Sequence, residues 1–327
     1  MILFVIFIPI LILFVLSLLF WFLTNLVYRH LLRKGRGVHF KFFKYTTLAL
    51  SSLWIGIAIY GYYWGRWQTE VHQFTYQNNR IPEGFDGFRI VHISDLHLEG
   101  FNDNPAFLDS MVSQINMLNP DLVCFTGDIV SYNHQGLSQF YPKLAKLKAK
   151  HGVISILGNH DYAIYDRSLD SLQREADLRE LISLQRDSLH WKLLLNENTT
   201  LYRNNDSITI IGVENQACGF KQKIRRGNLA EAMKGASKSF QILLSHDPTH
   251  WDAEVVNKTD IPLTLSGHTH AMQFKMIGIA PSRIFFSRSD GMYAEGNQTL
   301  YINTGLGQLL PIRVGVVPEI SLITLKH

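Results

Sequence analysis

Five short polar motifs, each directly after a short apolar run, constrain the fold of this chain more than any other feature. The runs have the length and composition of buried strands. They are Phe88–Ile93, Asp121–Phe125, Val153–Leu157, Phe240–Leu244 and Pro262–Leu265. The motifs after them are Asp95-x-His97, Gly127-Asp128, Gly158-Asn159-His160-Asp161, Ser245-His246-Asp247 and Gly267-His268-Thr269-His270. Because α/β proteins build sites at the C-terminal ends of strands, the pattern predicts an α/β domain with one polar site.

The motifs supply seven candidate metal ligands, which is enough for two divalent ions, and they contain one further histidine. Any single motif could instead consist of polar residues that cap a strand end or lie on the surface. That alternative is weakest when all five motifs occur together in this order.

The order and spacing of these motifs resemble those of the calcineurin-like metallophosphoesterase superfamily. The similarity runs from about residue 88 to residue 325, and Gly158-Asn159-His160-Asp161 and Gly267-His268-Thr269-His270 are its most specific parts. The resemblance implies a four-layer α/β/β/α sandwich. We therefore expect this phosphoesterase domain over residues 85–327, preceded by two transmembrane helices.

The same resemblance implies a ligand set for each of two metal ions, with Asp128 as the bridge between them. The first ion is expected at Asp95, His97 and His270, and the second at Asn159, His246 and His268. Such a mixture of oxygen and imidazole donors suits Mn, Fe or Zn. Two ions about 3.5–4 Å apart activate a shared water and hold phosphoryl oxygens.

Four further residues of the motifs have expected supporting roles. His160 matches the family histidine that protonates the leaving oxygen, and its alternative role is electrostatic support of bound phosphate. Asp161 is one candidate to orient the His160 ring. Asp247 and Thr269 adjoin ligands in sequence and are candidates to support them.

Two departures from related families narrow the function. Protein serine/threonine phosphatases of the superfamily continue their Gly-Asp with Asp-Arg-Gly, whose arginine holds phosphate, but here Ile129, Val130 and Ser131 follow. The chain resembles instead a bacterial membrane-associated branch, some of whose members cleave phosphodiester or pyrophosphate bonds in lipid-linked molecules. The usual Asn-Arg-Gly of that branch is Asn303-Thr304-Gly305 here, which leaves a phosphate contact from that position in question.

Two uncharged segments before the domain predict transmembrane helices. Residues 1–27 carry no charged side chain, and neither do residues 45–65, while about 20 apolar residues cross a bilayer. Two alternatives are a cleaved signal peptide and a buried hairpin of the soluble domain. A signal peptide is disfavoured because residues 1–27 lack a basic start and a small-residue cleavage site. A buried hairpin is disfavoured because neither segment is amphipathic.

The segment between the two spans, residues 28–44, is basic and predicts the topology. It holds six cations and no acidic residue: Arg29, Arg33, Lys34, Arg36, Lys41 and Lys44. The positive-inside rule places such a loop in the cytoplasm. We therefore expect a multi-pass protein of the cell inner membrane whose domain, after a linker at residues 66–84, lies outside the cytoplasm.

Charge and cysteine usage disfavour two other classes of protein. The net charge of +4 is concentrated in the basic loop, so it does not indicate a nucleic-acid partner. Two cysteines, Cys124 and Cys218, do not make a disulfide scaffold, although a bond between them stays open. A second basic cluster (Lys221, Lys223, Arg225 and Arg226) either binds phosphate or lipid headgroups or is a solvated loop.

The sequence leaves three hypotheses for the function. The first is a membrane-anchored two-metal phosphoesterase, partnered by the lipid bilayer and a phosphorylated lipid-linked substrate. The second is a UDP-2,3-diacylglucosamine pyrophosphatase of lipid A synthesis, whose nucleotide-linked substrate is cytoplasmic. The third is a non-catalytic membrane scaffold that keeps its metals for stability. The sequence does not indicate an oligomeric state.

Overall fold

The computed structural model describes residues 2–35, 40–219 and 224–327, with the backbone alone for residues 2–14 and Phe40. These residues form two compact units. The smaller unit comprises the described residues of Met1–Arg66 with Pro311–Val314, and the larger comprises those of Trp67–Leu310 with Gly315–His327. Of the second basic cluster, Lys221 and Lys223 lie outside the described residues.

Two long helices, α1 (Ile2–Arg33) and α2 (Phe40–Tyr63), make up most of the smaller unit. Each is long and apolar enough to cross a membrane, and its described apolar side chains are almost wholly exposed. That exposure argues against the buried-hairpin alternative. Both helices extend into the expected basic loop, so Arg29, Arg33, Lys41 and Lys44 are helical, whereas Arg36 lies outside the described residues.

The larger unit contains two six-stranded sheets. The strands are β1 (Glu70–Gln77), β2 (Arg89–Ile93), β3 (Leu122–Phe125), β4 (Val153–Ser155), β5 (Lys192–Leu193), β6 (Glu197–Arg203), β7 (Asp206–Gly212), β8 (Phe240–Leu244), β9 (Leu263–Ser266), β10 (Gly291–Glu295), β11 (Gln298–Ile302) and β12 (Glu319–Lys326). The first sheet has the order β1-β12-β2-β3-β4-β5 and the second β10-β11-β9-β8-β7-β6. Strands β2 to β5 are parallel, as are β7, β8, β9 and β11. All five runs expected to be strands are strands.

The helices of the larger unit are α3 (Pro105–Met117), α4 (Gln135–Leu144), α5 (Ser171–Ser183) and α6 (Leu229–Ala232). Helix α5 begins at a capping box, in which the Asp170 carboxylate accepts from the Gln173 amide and the Gln173 side chain accepts from the Asp170 amide. Such reciprocal bonds satisfy donors that a helix start leaves unpaired.

Three apolar clusters alternate with the two sheets. One lies between the sheets and joins residues such as Ile90 and Cys124 of the first to Ile242 and Leu265 of the second. Another joins the first sheet to α3, α4 and α5, and a third joins the second sheet to α6 and Trp251. This alternation is compatible with the expected α/β/β/α sandwich, and its interior supplies the main hydrophobic stabilisation. Both cysteines are free.

The segment expected as a linker, residues 66–84, contains a full strand. Strand β1 pairs in parallel with β12 from Glu70↔Glu319 to Gln77↔Lys326 and forms the edge of the first sheet. Its polar composition resembles a linker because an edge strand is half exposed. Val71 and Phe74 nevertheless pack against the core clusters.

Candidate metal centre

The seven candidate ligands come together where the parallel strands of both sheets end. Strands β2, β3 and β4 carry Asp95, His97, Asp128 and Asn159 just beyond their last residues, and β8 and β9 carry His246, His268 and His270. Two groups have ligand atoms within 4.8 Å of one another: Asp95, His97 and His270, and Asp128, His246 and His268. The tertiary structure thus brings together residues that are far apart in the chain, such as His97 and His270, which are separated by 173 positions.

The first group is buried and its nitrogen and oxygen atoms converge. The Nε2 atoms of His97 and His270 are 3.1 Å apart. Asp95 Oδ1 lies 3.2 Å from His270 Nε2 and 3.9 Å from His97 Nε2. Burial lowers the pKa of His97 well below its usual value, so its ring is neutral and offers a lone pair.

The second group adds an amide oxygen. His246 Nδ1 lies 2.7 Å from the carbonyl of Thr126, which can only accept, so this nitrogen carries the proton and Nε2 faces the site. Asn159 Oδ1 is 3.2 Å from that Nε2 and 2.8 Å from His268 Nδ1. The Asn159 side-chain nitrogen donates to Tyr165 Oη, which turns the amide oxygen towards the histidines.

The Asp128 carboxylate lies between the two groups. Its Oδ2 is 3.2 Å from His246 Nε2 and 3.7 Å from His97 Nε2. Its Oδ1 accepts a hydrogen bond from the His160 amide at 2.7 Å. The Asp128 carboxylate is therefore close to an imidazole ring of each group.

The charge and donor types of the site fit divalent cations. Asp95 and Asp128 are fully buried carboxylates, and buried negative charge needs a compensating positive charge. Although burial opposes it, the Asp128 carboxylate raises the pKa of His246 to about 10, which marks how strongly the site attracts positive charge. Convergent imidazole nitrogens beside carboxylate and amide oxygens suit a transition-metal ion.

Five of the seven candidate ligands have left-handed backbone conformations. Their φ angles lie between 42° and 74°, at His97, His270, Asp95, Asp128 and His268. Each such non-glycine residue costs about 1–2 kcal/mol. The surrounding structure maintains this strain, and the chain can turn each of these ligands into the site within two to four residues of its strand's end.

Gly158 allows the Asp128 carboxylate to approach the next motif. A Cβ atom at position 158 would lie 2.2 Å from Asp128 Oδ1 and 2.6 Å from the Asp128 amide nitrogen. Any side chain here would displace the carboxylate, which explains the glycine of this motif.

His160 lies beside the two ligand groups. Its Nδ1 is 2.8 Å from the carbonyl of Ser131, so Nδ1 carries the proton and Nε2 is the nitrogen left for other partners. Its ring stacks on Tyr165, with centroids 4.1 Å apart, and meets His97 edge to face at 4.8 Å. Sequence reasoning did not single out Tyr165 or Ser131. Neither lies in a motif, and Ser131 acts through its backbone.

The three candidates for supporting roles, Asp161, Asp247 and Thr269, make different contacts. Asp161 accepts backbone hydrogen bonds from four residues, namely Asp128, Ile129, Val130 and Gly158, which joins two motif loops. The Ser131 carbonyl, rather than Asp161, is bonded to the His160 ring. Asp247 Oδ2 lies 3.6 Å from His268 Nε2, beyond hydrogen-bond distance. Thr269 caps the following turn.

In the Asn303-Thr304-Gly305 segment, Thr304 is hydrogen-bonded within the protein, which argues against a contact with phosphate. The Thr304 hydroxyl and amide both donate to the buried carboxylate of Glu319, at 2.9 and 3.1 Å. Gly305 has a φ of 80°, and a Cβ there would lie 2.8 Å from that of Asp95. The segment therefore packs behind the first ligand group.

The sandwich and its two ligand groups define the class of protein: a metal-dependent phosphoesterase. Residues 88–272 match the family model of the calcineurin-like phosphoesterases, and the chain belongs to that family.

Similar proteins occur in bacteria and in vertebrates. An uncharacterized metallophosphoesterase of Bacillus subtilis, YkuE, is 32% identical over 79% of this chain and 85% of its own length. A zebrafish transmembrane protein with a metallophosphoesterase domain is 29% identical over 87% of this chain and 63% of its own length. The UDP-2,3-diacylglucosamine pyrophosphatase LpxG of Chlamydia trachomatis is 28% identical over 75% of this chain and 87% of its own.

Proposed function

We propose that this chain is a membrane-anchored two-metal phosphoesterase that hydrolyses a phosphodiester or pyrophosphate bond in a lipid-linked or cell-surface substrate. The observation that carries the proposal is Asp128, whose carboxylate lies within 3.2 Å of His246 and 3.7 Å of His97. A carboxylate can serve two ions because it has two oxygens. The exposed apolar surfaces of α1 and α2 support the anchoring.

Each proposed ligand has a position that suits its role. We assign Asp95, His97 and His270 to one ion, Asn159, His246 and His268 to the other, and Asp128 to both. When bound, two such ions polarise a phosphoryl group and supply a nucleophile at neutral pH. The chain itself turns the imidazoles towards one point, and its burial of the site keeps the His97 ring neutral and excludes water from the carboxylates.

His160 is the proposed proton donor to the leaving oxygen. Its Nδ1 proton is directed to the Ser131 carbonyl, which leaves Nε2 to exchange a proton with a substrate. Tyr165 fixes the plane of the ring by stacking, and the partial exposure of His160 leaves it open to substrate. A histidine is suited to this task because its ordinary pKa is near neutrality.

Hydrolysis of a simple diester tests this function. We expect purified full-length protein loaded with Mn²⁺ to hydrolyse bis(p-nitrophenyl) phosphate, and EDTA to abolish the reaction. Zn²⁺, Fe²⁺ and Co²⁺ are tested in parallel because the donor set accepts several metals. Absence of hydrolysis with all four metals would refute the proposal.

A second candidate is the pyrophosphatase reaction on UDP-2,3-diacylglucosamine, which the 28% identity to LpxG favours. That substrate is nucleotide-linked and cytoplasmic, whereas the six cations of residues 28–44 support an exported domain. An alkaline-phosphatase fusion after His327 separates the two. An active fusion supports the exported enzyme, and an inactive fusion with an active cytoplasmic reporter supports the pyrophosphatase.

A further inference from the structure

A loop next to the candidate metal centre presents large apolar side chains to solvent. We call residues 271–289, which connect His270 to strand β10, the apolar loop. Its exposed hydrophobic residues are Met272, Met276, Ile277, Ile279, Ile284 and Phe285. Leu309 and Leu310 are also exposed, and the Gln273 side chain joins them to the loop: its Oε1 accepts from both amides, at 2.9 and 3.0 Å. Exposed apolar patches of this kind mark interaction sites.

The tip of the loop is unfavourable for an isoleucine on two counts. Met276 and Ile279 exchange backbone hydrogen bonds of 3.0 Å, which closes a two-residue turn. The φ angles inside the turn are 52° at Ile277 and 75° at Gly278, and such turns favour Asn-Gly. A β-branched residue with positive φ is rare, and Ile277 is 93% exposed. Neither packing within the chain nor backbone preference accounts for this side chain.

The loop follows His270 directly in the chain, and its C-terminal end is also held against the ligand-bearing motif. The Phe286 ring meets the His268 ring edge to face, with centroids 5.6 Å apart. The Thr269 hydroxyl donates to the carbonyl of Ser289. Whatever contacts the apolar loop is therefore held close to the candidate metal centre.

The charges of the loop fit an anionic lipid surface. No acidic residue occurs between Asp260 and Asp290 in the sequence, whereas Lys275, Arg283 and Arg288 lie within the loop. Arg288 pairs with two carboxylates outside the loop, those of Asp252 and Glu295. Lys275 pairs with Asp290. Arg283 is exposed and forms no ion pair with any residue that the structure describes. Apolar side chains with nearby cations are typical of segments that lie in the membrane interface.

The covalent structure adds a second argument for lipid. The peptide bond after Leu310 leads into Pro311–Val314, which belongs to the same compact unit as α1 and α2. Within that unit the Arg313 amide donates to the Gly61 carbonyl of α2, at 3.2 Å. Leu310 is thus joined by one peptide bond, and Leu309 by two, to a segment that packs on a helix able to cross a membrane.

We infer that the apolar loop and Leu309–Leu310 dock into the interfacial layer of a lipid bilayer and hold the metal centre at the lipid surface. The inference rests on the proposed membrane anchoring and specifies how a lipid-linked phosphate reaches the site. A second copy of the chain or another protein is the competing occupant.

Depth-dependent fluorescence quenching tests the inference on the full-length chain in nanodiscs of phosphatidylcholine and phosphatidylglycerol. In a Cys218→Ser background, where the remaining Cys124 is buried, an NBD fluorophore is attached at Ile277→Cys or at Ile284→Cys. Leu172→Cys is the matched control, because Leu172 on α5 is 81% exposed. Interfacial segments insert about 5–10 Å deep, so doxyl-labelled lipids should remove most of the fluorescence at 277 and 284 but not at 172. Equal quenching at all three positions overturns the inference.

Ile277→Asn provides an independent test with two opposite effects. Asn-Gly suits the turn, so the melting temperature in detergent should stay the same or rise. In nanodiscs the quenching at position 284 should fall, while Leu172→Asn leaves it unchanged. A lower melting temperature, or unchanged quenching, contradicts the inference.

Two further measurements separate lipid docking from self-association and from the proposed enzyme activity. Protection of position 277 that depends on protein concentration in detergent would identify a second copy as the occupant and overturn lipid docking. Hydrolysis of bis(p-nitrophenyl) phosphate by the same samples reports on the proposed function separately. Quenching without hydrolysis refutes the enzyme activity alone, and hydrolysis without quenching refutes the docking alone.

Discussion

The His160 amide donates a hydrogen bond of 2.7 Å to the Asp128 carboxylate, yet the proposed roles of the two residues differ. If His160 only donates a proton, His160→Asn should keep both metals and slow turnover by about 10²–10⁴-fold. The slowing should shrink for p-nitrophenyl esters, whose leaving group needs little protonation. Metal content by elemental analysis, together with rates on good and poor leaving groups, checks this.

Asp128→Asn is the matched variant for metal binding. An amide is a neutral and weaker bridge, so this variant should lose metal and activity together. Loss of metal in His160→Asn, or equal slowing across leaving groups, would mean that the proton donor is misassigned.

Gly158→Ala should disable the site without unfolding the protein. The added Cβ would lie 2.2 Å from Asp128 Oδ1, so the carboxylate must move and metal affinity should fall at least about tenfold, as for changes to groups that orient ligands. Gly152→Ala is the control. Its φ of 72° makes the change strained, but a Cβ there meets nothing within 4 Å. Metal titration of both variants should separate the effects: affinity falls in the first and is kept in the second.

At the scale of single elements, Asp121 ties the start of β3 to its neighbours. Its Oδ2 accepts from the Arg89 amide of β2 and its Oδ1 from Lys150, at 2.8 and 2.7 Å. Burial alone would raise the pKa of Asp121, but these donors, led by Lys150, lower it overall. Because the folded pKa lies below the ordinary value of 3.8, the stabilisation is complete above that pH and is lost as the pH falls further.

We therefore expect Asp121→Asn to lower the free energy of unfolding by about 1–2 kcal/mol at pH 7. The difference from the unmodified protein should shrink as the pH falls below 3.8 and should vanish once the pH is below the lowered pKa of the folded protein, where the Asp121 carboxyl is protonated. Urea unfolding of the detergent-solubilised protein at several pH values measures this. Asp260→Asn, at an exposed aspartate, is the control. A stability difference independent of pH would argue against a charge effect.

For the whole molecule, metal binding and folding stability should be coupled. Two buried carboxylates and several residues in left-handed conformations make the site unfavourable by itself. Metal at 100 times its dissociation constant adds about 2.7 kcal/mol of stability per site. Each kcal/mol raises the melting temperature of a domain of this size by about 2–4 °C.

Thermal unfolding should therefore move several degrees upward with Mn²⁺ and return with EDTA. In Asp128→Asn the rise should be much smaller, whereas in His160→Asn it should persist. An equal rise in all three proteins would indicate that the metal binds elsewhere.

The sequence alone determined the identity of the strands that carry the motifs and the list of residues that gather at their ends. Buried parallel strands require continuous apolar runs, and polar groups placed directly after them cannot be part of the core. The two apolar helices can be predicted from local sequence as well, since an uncharged segment of about 20 residues is a strong local signal. These features depend on short stretches of sequence, and they are read without knowing any partner.

Only the tertiary structure decided which residues complete the site. The Thr126 and Ser131 carbonyls set the proton positions of His246 and His160, and a backbone carbonyl has no sequence signal. Asp161 binds backbone amides of two loops instead of its neighbour's ring. Strand β1 and the exposure of the apolar loop could not be predicted from local sequence either. The pairing of β1 with β12 and the position of the loop beside His268 depend on contacts between distant segments. Local pattern determines elements, whereas long-range geometry determines what their ends can do.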